Sequence, residues 1–539
     1  MNVLKSFLFL LPYILFFQGA QGQDTNQFPE RLGDPAHVHY GNQIELEWLK
    51  HHVYAFSADS MQGRDTGQPG GKMAGNYIEN HLKLLGIPPI GDTTYRQTIS
   101  FSWLRWSDNE LAVSGEVIRH FWDYLALPAM NYNLEDLQLD EVVFVGYGID
   151  ADNYSDMPKG DFSGSTALMW SGEPKDENGQ YWVSGTSAPS EWSQSLDLKL
   201  KTAAERGFST VLLVEPELRT VVNQNRRQLF RPIIETDPVE PEEGMPGLIY
   251  LSTQTFEKLL PEGKAEMFSE AIDESAEKVR QLAGTKLSTD LHFNLIKNIH
   301  SLEDDNILGY IEGIDPERKH ELIVLSAHYD HLGYSGDEIF HGANDNASGT
   351  SAVMEMGRAF QAAKKAGDGP ARSVLLLLLT GEERGLLGSR YYVENPVFPL
   401  ENTIANINID MLGRMDEKHE ELGIENYIYP IGSDRLSTEF HEILLKVNEN
   451  YSNIHLDFTY NDPEDPNRYY FRSDHYNFAR NGIPAIFYFN GMHEDYHLAT
   501  DTPDKMNFES MTAVTRHIFH LAWELANREE AIQADLLEE

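Results

Sequence analysis

The chain has 539 residues, enough for two or three domains of ordinary size, and its 42 Lys+Arg against 85 Asp+Glu give a net charge of −43. That balance excludes a nucleic-acid partner held through a basic face, and because the acidity runs along the whole chain into the tail 529–539 it reads as solvated surface. The absence of cysteine removes disulfides, thiolate nucleophiles and zinc ribbons, while 41% hydrophobic and 11% aromatic residues exclude global disorder.

At the amino terminus Lys5 precedes an apolar run from Ser6 to Phe17, then Ala20-Gln21-Gly22, the small-x-small form of a signal-peptidase site. Residues 1–22 are therefore expected to be removed and the protein exported, periplasmic or secreted. The run falls short of the ~20 residues that cross a bilayer as a helix, and no later uncharged stretch reaches that length, so no membrane partner is expected after cleavage. Residues 23–43 carry no apolar period and read as a flexible leader. From Ile44 the apolar spacing predicts a first helix, Gly63 to Gly71 a loop, and Met73 to Leu85 another helix. Between about 118 and 290 short β-rich runs, Val142 to Gly148 and Thr210 to Val214, stand among polar loops with Gly and Pro and predict a separate, mainly β domain.

After Asn306 the pattern becomes a regular alternation. Strands are predicted at 323–326, 374–379, 405–409 and 485–489, and helices at 349–363, 386–393, near 434–448, near 474–480 and at 508–527. Strands apolar on both faces, interleaved with helices, specify an α/β fold: a mostly parallel sheet covered on both sides, an α/β/α sandwich.

In such a sheet ligands gather beyond the carboxyl ends of the strands. His328 and Asp330 follow the first strand, Glu382 and Glu383 the second, Asp410 the third, and Tyr496 and His497 the fourth, so every apolar strand ends near a potential metal ligand. Asp345 adds a fifth position in the small-residue loop Gly342 to Gly349, ahead of a helix. Singly, each has an ordinary explanation as a core His or a helix cap. Together, two imidazoles and three carboxylates suit zinc, and five ligands serve two zincs if one carboxylate bridges, for which Asp345 is best placed. Of the doublet Glu382-Glu383, one can bind metal while the other moves a proton. His493-Glu-Asp-Tyr-His497 also spells the helical HExxH zinc motif, but Asn490-Gly491 before it and Pro503 after it leave too little room for the long helix that motif needs. A GxSxG elbow, a GxxxxGK[ST] phosphate loop and a helix-opening GxGxxG are all absent.

Ser326-Ala-His-Tyr-Asp330, Ala343-Asn-Asp-Asn-Ala-Ser-Gly349, Gly381-Glu-Glu-Arg-Gly-Leu-Leu-Gly-Ser389, Asn408-Ile-Asp-Met-Leu-Gly413 and Tyr496-His497 resemble, in order, the site motifs of the M28 family of zinc metallopeptidases, bacterial aminopeptidases among them. The resemblance implies two zinc ions per chain, one held by His328, Asp345 and Asp410, the other by Asp345, Glu383 and His497. It implies further that Glu382 is the general base, that Asp330 orients His328, that Tyr496 steadies the oxyanion and that the Asp345–Asn346 bond is cis. Arg384 departs from the residue the family often carries there. Val145-Gly-Tyr-Gly148 and Ala203 to Val214 resemble, more loosely, the protease-associated domain inserted in some members; residues 118–294 would then split a peptidase domain formed by 40–117 and 295–530.

The expected activity is an exopeptidase, an aminopeptidase hydrolysing the amino-terminal bond of peptide substrates through a metal-bridging hydroxide. A carboxypeptidase or dipeptidase on the same metals would need a cation for the substrate carboxylate, for which Arg472 and Arg414 stand nearby in sequence. A non-catalytic protein binding through the inserted domain is the reading from another class, and the complete ligand set weighs against it.

Overall fold

The amino-terminal helices owe their positions to burial against the far end of the chain. The computed structural model describes residues 35–536 apart from 92, 227, 228, 230, 231, 237–240, 261 and 262; the expected signal segment 1–22 lies outside the described residues. Helices α1 (Pro35–Gly41), α2 (Leu46–Phe56) and α3 (Pro69–Leu85) come first. The stretch expected to be a flexible leader thus ends in a helix: His37 and Tyr40 are buried, and the His37 ring stacks on His520 with centroids 4.3 Å apart. Seven residues are two turns, too few for an apolar period to register. Helix α3 begins two residues before the end of the expected loop, with Pro69 in its first turn supplying a preset φ.

The four apolar runs become β10 (Leu322–His328), β13 (Ser373–Leu379), β14 (Thr403–Ile409) and β17 (Ala485–Phe489), where the numbering leaves room for the strands named below. They pair in parallel in the order β17-β14-β10-β13. Their unbroken apolar sequence follows from burial on both faces. Ile323, Leu325, Leu376 and Leu378 pack into the core beneath α2, α3, α10 (Gly349–Ala366) and the last helix (Phe508–Asn527), while Val324, Leu375, Leu377 and Leu379 pack with Tyr392 and Phe478 on the opposite face. This is the α/β/α sandwich the sequence implies. The sheet is extended on one side by β15 (Tyr427–Ile431), antiparallel to β17, with the short β16 (His455–Leu456) outside it.

On the other side β9 (Lys286–Ile311) runs antiparallel to β13 and continues for 26 residues into the middle third of the chain. There it pairs with β1 (Arg96–Val113) from Arg96 opposite Ile307 to Val113 opposite Leu291, with a bulge at Trp106–Asp108. β1 also pairs with β2 (Glu116–Val117) and β7 (Ile233–Glu235). Beyond β9 come β4 (Leu134–Phe144), β5 (Thr166–Trp170), β6 (Thr210–Val214), β8 (Gly247–Leu251) and β3 (Tyr124–Ala126). Both faces of this part are again apolar: Leu212, Val214 and Ile249 enter one cluster, Val211, Leu213 and Leu248 another. Helices α4 (Glu191–Gln194), α5 (Leu196–Glu205), α6 (Leu218–Gln224), α7 (Thr253–Leu259), α8 (Lys264–Glu274) and α9 (Ala276–Leu282), which the sequence reading did not single out, stand between its strands. A two-stranded hairpin, β11 (Tyr334–Ser335) with β12 (Glu338–Ile339), completes the strands. Among the described residues no helix is long and apolar enough to cross a membrane.

Candidate metal centre

Parallel strands carry their carboxyl ends to one edge, so the segments after β10, β13, β14 and β17 meet there. The remaining contributor is the turn Ala343–Ser348, which leads into α10 and contains a cis peptide bond between Asp345 and Asn346. The turn is tied from three directions. Asn346 Nδ2 donates to the Ile409 carbonyl at 2.8 Å, the Asp501 carboxylate accepts from the main-chain N–H groups of Asn344 and Asp345 at 3.0–3.1 Å, and Gly349 lies so close beneath the Ile409 carbonyl oxygen that a Cβ would clash with it.

The structure brings His328, Asp345, Glu383, Asp410 and His497 together, and the two oxygens of Asp345 face different partners. His328 Nε2 lies 3.4 Å from Asp345 Oδ1 and 3.2 Å from Asp410 Oδ1. His497 Nε2 lies 3.0 Å from Asp345 Oδ2 and 3.2 Å from Glu383 Oε1. Two ligands about 2.0–2.2 Å from one tetrahedral ion stand roughly 3.3–3.6 Å apart, so these spacings, 3.0–3.4 Å, are at or slightly inside what a divalent ion in each group, with Asp345 common to both, would need. The buried Nε2 atoms of His328 and His497 have no hydrogen-bond partner, as a pair of donors awaiting ions would leave them. Glu382 adjoins the first group, its Oε2 3.9 Å from His328 Nε2, and with His328 and Asp410 forms a cluster that could itself hold an ion. Tyr496 stacks on His497 with ring centroids 3.9 Å apart, and His497 itself has φ +59°, a left-handed conformation a β-substituted residue rarely adopts.

Charge in the cage is unbalanced without cations. Burial, reinforced by Asp410 and Glu383 and opposed by His328, holds the Glu382 carboxyl well above the usual range. Asp345 is buried as well, yet the imidazoles of His328 and His497 beside it and the charge of His331 hold it well below the ordinary value. Burial acts against the His497 cation, but Glu383 and Asp345 overcome it and push the imidazole up to about 10. The Tyr496 phenol is raised by burial and then by the surrounding carboxylates, so it stays a proton donor.

Several further groups fix the cage, some of them, Ser473, Arg64 and His331, outside the roles read from the sequence. The Asp330 carboxylate accepts from Thr66 Oγ1 at 2.9 Å and from the N–H groups of Glu382 and Glu383 at 3.2 and 3.3 Å, clamping the Glu doublet; it lies 3.6 Å from His328 Nδ1, which meets the Asp330 carbonyl oxygen at 3.1 Å. Ser473 Oγ donates to Asp410 Oδ2 at 2.7 Å and accepts from Asn408 Nδ2 at 2.8 Å, leaving Oδ1 toward His328. Arg64, fully buried, donates to the carbonyls of Phe56, Tyr329, His341 and Gly342, joining the loop before α3 to two of the site loops. His331, also fully buried, places Nδ1 3.0 Å from Glu383 Oε1 and 3.8 Å from Asp345 Oδ2, a second imidazole on the oxygens that face His497. Its signal was present, an imidazole three residues after His328 in the same loop.

The HExxH spelling does not form a helix: residues 494–497 are a turn, Glu494 is exposed and His493 Nε2 meets Asn344 Oδ1 at 3.0 Å. Arg384 is paired with Asp65, and Arg414 with Asp495 at 2.8 Å. Arg472 lies over the Tyr469 ring and, with Met411, Phe487, Phe489, Met492 and Tyr496, lines a recess whose inner wall is Asp345, Glu382 and Asp410. A wider groove in the middle third, bordered by Tyr147, Trp170, Lys175 and Tyr181, shares no residue with this recess.

Residues 306–522 match the sequence profile described as "Peptidase family M28". Among curated proteins, aminopeptidase YwaD of Bacillus subtilis (strain 168) is 34% identical over 132 residues, 22% of this chain and 27% of that protein. The uncharacterized protein YfbL of Escherichia coli (strain K12) is 28% identical over 230 residues, 38% of this chain and 66% of that one. The matched segments therefore span between about a quarter and two-thirds of these relatives. Among solved structures, an aminopeptidase from Aneurinibacillus sp. strain AM-1 has the same fold, with a TM-score of 0.53 at 17% identity over 93% of this chain and 98% of the other.

Proposed function

Residues 306–522 belong to peptidase family M28, and on that premise we propose that the chain is a zinc-dependent aminopeptidase, an exopeptidase that is exported by the signal segment 1–22. The observation that carries the reading is the division of Asp345 between two imidazole–carboxylate groups, His328 with Asp410 and His497 with Glu383. In this reading His328, Asp345 and Asp410 hold one zinc and Asp345, Glu383 and His497 the other, and the ions when bound supply a polarised carbonyl and water acidified toward neutrality.

The protein's own groups do the rest. Glu382, buried beside the cage, in its ionised form takes the proton of the attacking water and returns it to the departing amine. The Tyr496 hydroxyl donates toward the developing oxyanion. Asp330 and Ser473 hold the Glu doublet and Asp410 in place, and His331 does the same for Glu383. The free amine of the substrate meets the acidic inner wall, and the aromatic and Met side chains of the recess receive the first side chain. We further take residues 40–117 and 295–530 as one peptidase domain, interrupted by a protease-associated-like insert at 118–294; the main apolar cluster of the former holds no residue of 118–294, while Leu111, Val113 and Leu295 at the junction pack with the insert.

A second reading keeps the same metals but has Arg472, at the recess, bind a substrate carboxylate in a carboxypeptidase or dipeptidase. Hydrolysis of carboxyl-blocked dipeptides with no turnover of amino-blocked ones is the expected result; the reverse preference replaces the aminopeptidase with the second reading. A folded, zinc-loaded protein that cleaves neither sinks both.

A further inference from the structure

We propose that His52, His81 and Glu355 form a further metal site, distinct from the carboxylate cage, which takes one divalent ion of the zinc type and links three helices. The three side chains come from α2, α3 and α10, and one donor atom of each lies within 4.8 Å of the others.

Each side chain leaves one buried polar atom without a hydrogen-bond partner. Glu355, fully buried in a helix, accepts from Arg358 Nε at 2.9 Å through Oε2, while Oε1 has no hydrogen-bond partner. His52, also buried, meets the Tyr77 hydroxyl at 2.7 Å through Nδ1, while Nε2 has no partner. His81 keeps Nε2 shut off from water without a partner, its ring edge-on to His52 with centroids 4.7 Å apart. Buried polar atoms are nearly always paired, so three unpaired in one gap are unusual unless something fills it.

The spacing says what fits. His52 Nε2 and Glu355 Oε1 are 3.4 Å apart, long for a charged hydrogen bond but equal to the edge of a tetrahedron whose corners lie about 2.0–2.1 Å from a central ion. Two imidazoles and a carboxylate are a donor set zinc prefers, and they leave one position for water. With Nδ1–H of His52 donating to the Tyr77 oxygen, Nε2 carries the lone pair; the phenol is the kind of outer partner that fixes the tautomer of a metal-bound imidazole. The position has a structural meaning too. Helices α2 and α3 precede the middle third of the chain and α10 follows it, directly after the Asp345 turn, so an ion here would tie the amino-terminal segment to the helix that carries that turn.

The competing arrangement is an ion pair of protonated His52 with Glu355 and no metal. Crystals of the full-length wild-type protein, grown after zinc loading and measured on both sides of the zinc absorption edge, separate the two. An anomalous peak among His52, His81 and Glu355 is expected; peaks in the carboxylate cage with none among these three overturn the proposal, while leaving the proposed activity standing. In solution, metal analysis of His81→Gln beside wild type is expected to show one equivalent fewer per chain with turnover of an aminoacyl reporter retained. Equal metal content in the two folded proteins overturns the proposal.

Discussion

The serine behind Asp410 gives the sharpest test of how the cage is held. Ser473 Oγ donates to Asp410 Oδ2 at 2.7 Å and accepts from Asn408 Nδ2 at 2.8 Å, all three groups being buried. Ser473→Ala removes a hydrogen bond to a carboxylate, worth about 1.5–3 kcal/mol, and strands the Asn408 amide. Part of that loss falls on folding. The part that falls on the orientation of Asp410 should weaken binding of the zinc proposed for His328, Asp345 and Asp410 by roughly 10–100-fold, the usual consequence of removing a partner of a ligand. The other group, Asp345 with Glu383 and His497, has no contact with Ser473 and should keep its affinity. Stepwise titration of the metal-free protein against a chromogenic chelator resolves the two affinities, and a denaturation curve of the same metal-free sample records the folding share. Two unchanged affinities in a variant with normal stability would refute the view that Asp410 is set by its serine.

Glu382→Gln is expected to lower kcat by about 10²–10⁴-fold with metal content unchanged, checked by steady-state assay beside metal analysis; a near-normal rate removes Glu382 as the base. Tyr496→Phe should lower kcat by about 10²-fold and move KM little, since the phenol acts on charge that develops only in the transition state. Gly349→Ala, whose methyl group would press on the Ile409 carbonyl, should cost about 1–3 kcal/mol of stability in urea titrations and displace the Asp345 turn. Burial holds His475 and His517 down at about 3 and, aided by the charges of His37 and His517, His520 at about 2. These rings stay neutral in the fold while the unfolded chain takes up protons near 6.5, so their stability is complete above that pH and is lost on acidification toward 3. Each removes about 1.4 kcal/mol per pH unit, and a urea midpoint of the metal-free protein that stays flat from pH 7 to pH 4.5 contradicts it.

The α/β/α sheet was legible in the sequence because its strands are buried twice over: a run such as Val374 to Leu379 has no polar face to confuse with a loop, and its carboxyl end announces the edge where Glu382 and Glu383 sit. β15 was missed for a local reason. Pro430 interrupts Tyr427-Ile-Tyr-Pro-Ile431, and a proline inside a run argues against a strand; here it lies past the two residues that pair with β16, where no hydrogen from that side is needed. His331 is not singled out by the sequence, because five ligands with a bridging carboxylate already satisfy two ions and a second imidazole in the same loop is not required by that arithmetic. Arg64 and Asp501 lie in polar, glycine- or threonine-bearing loops indistinguishable from exposed ones, and only the folded chain reveals that one donates to four carbonyls and the other caps the Asp345 turn. Asn406 and Asn408 carry the opposite lesson: polar residues within a buried strand have a bonded partner, Ser326 for the first and Ser473 for the second.

The long ribbon of β1 and β9 bears on how the middle third can move. A region joined by two loose connectors swings freely, but this one is joined by strands whose main-chain bonds run from Arg96 opposite Ile307 to Val113 opposite Leu291. Swivelling would shear that ladder row by row, so bending is confined to its weakest point, the bulge at Trp106–Asp108. Past the ribbon, β9 lies directly against β13, three residues upstream of Glu382. A displacement of the middle third would therefore pass through β9 to β13, the strand that ends three residues before Glu382.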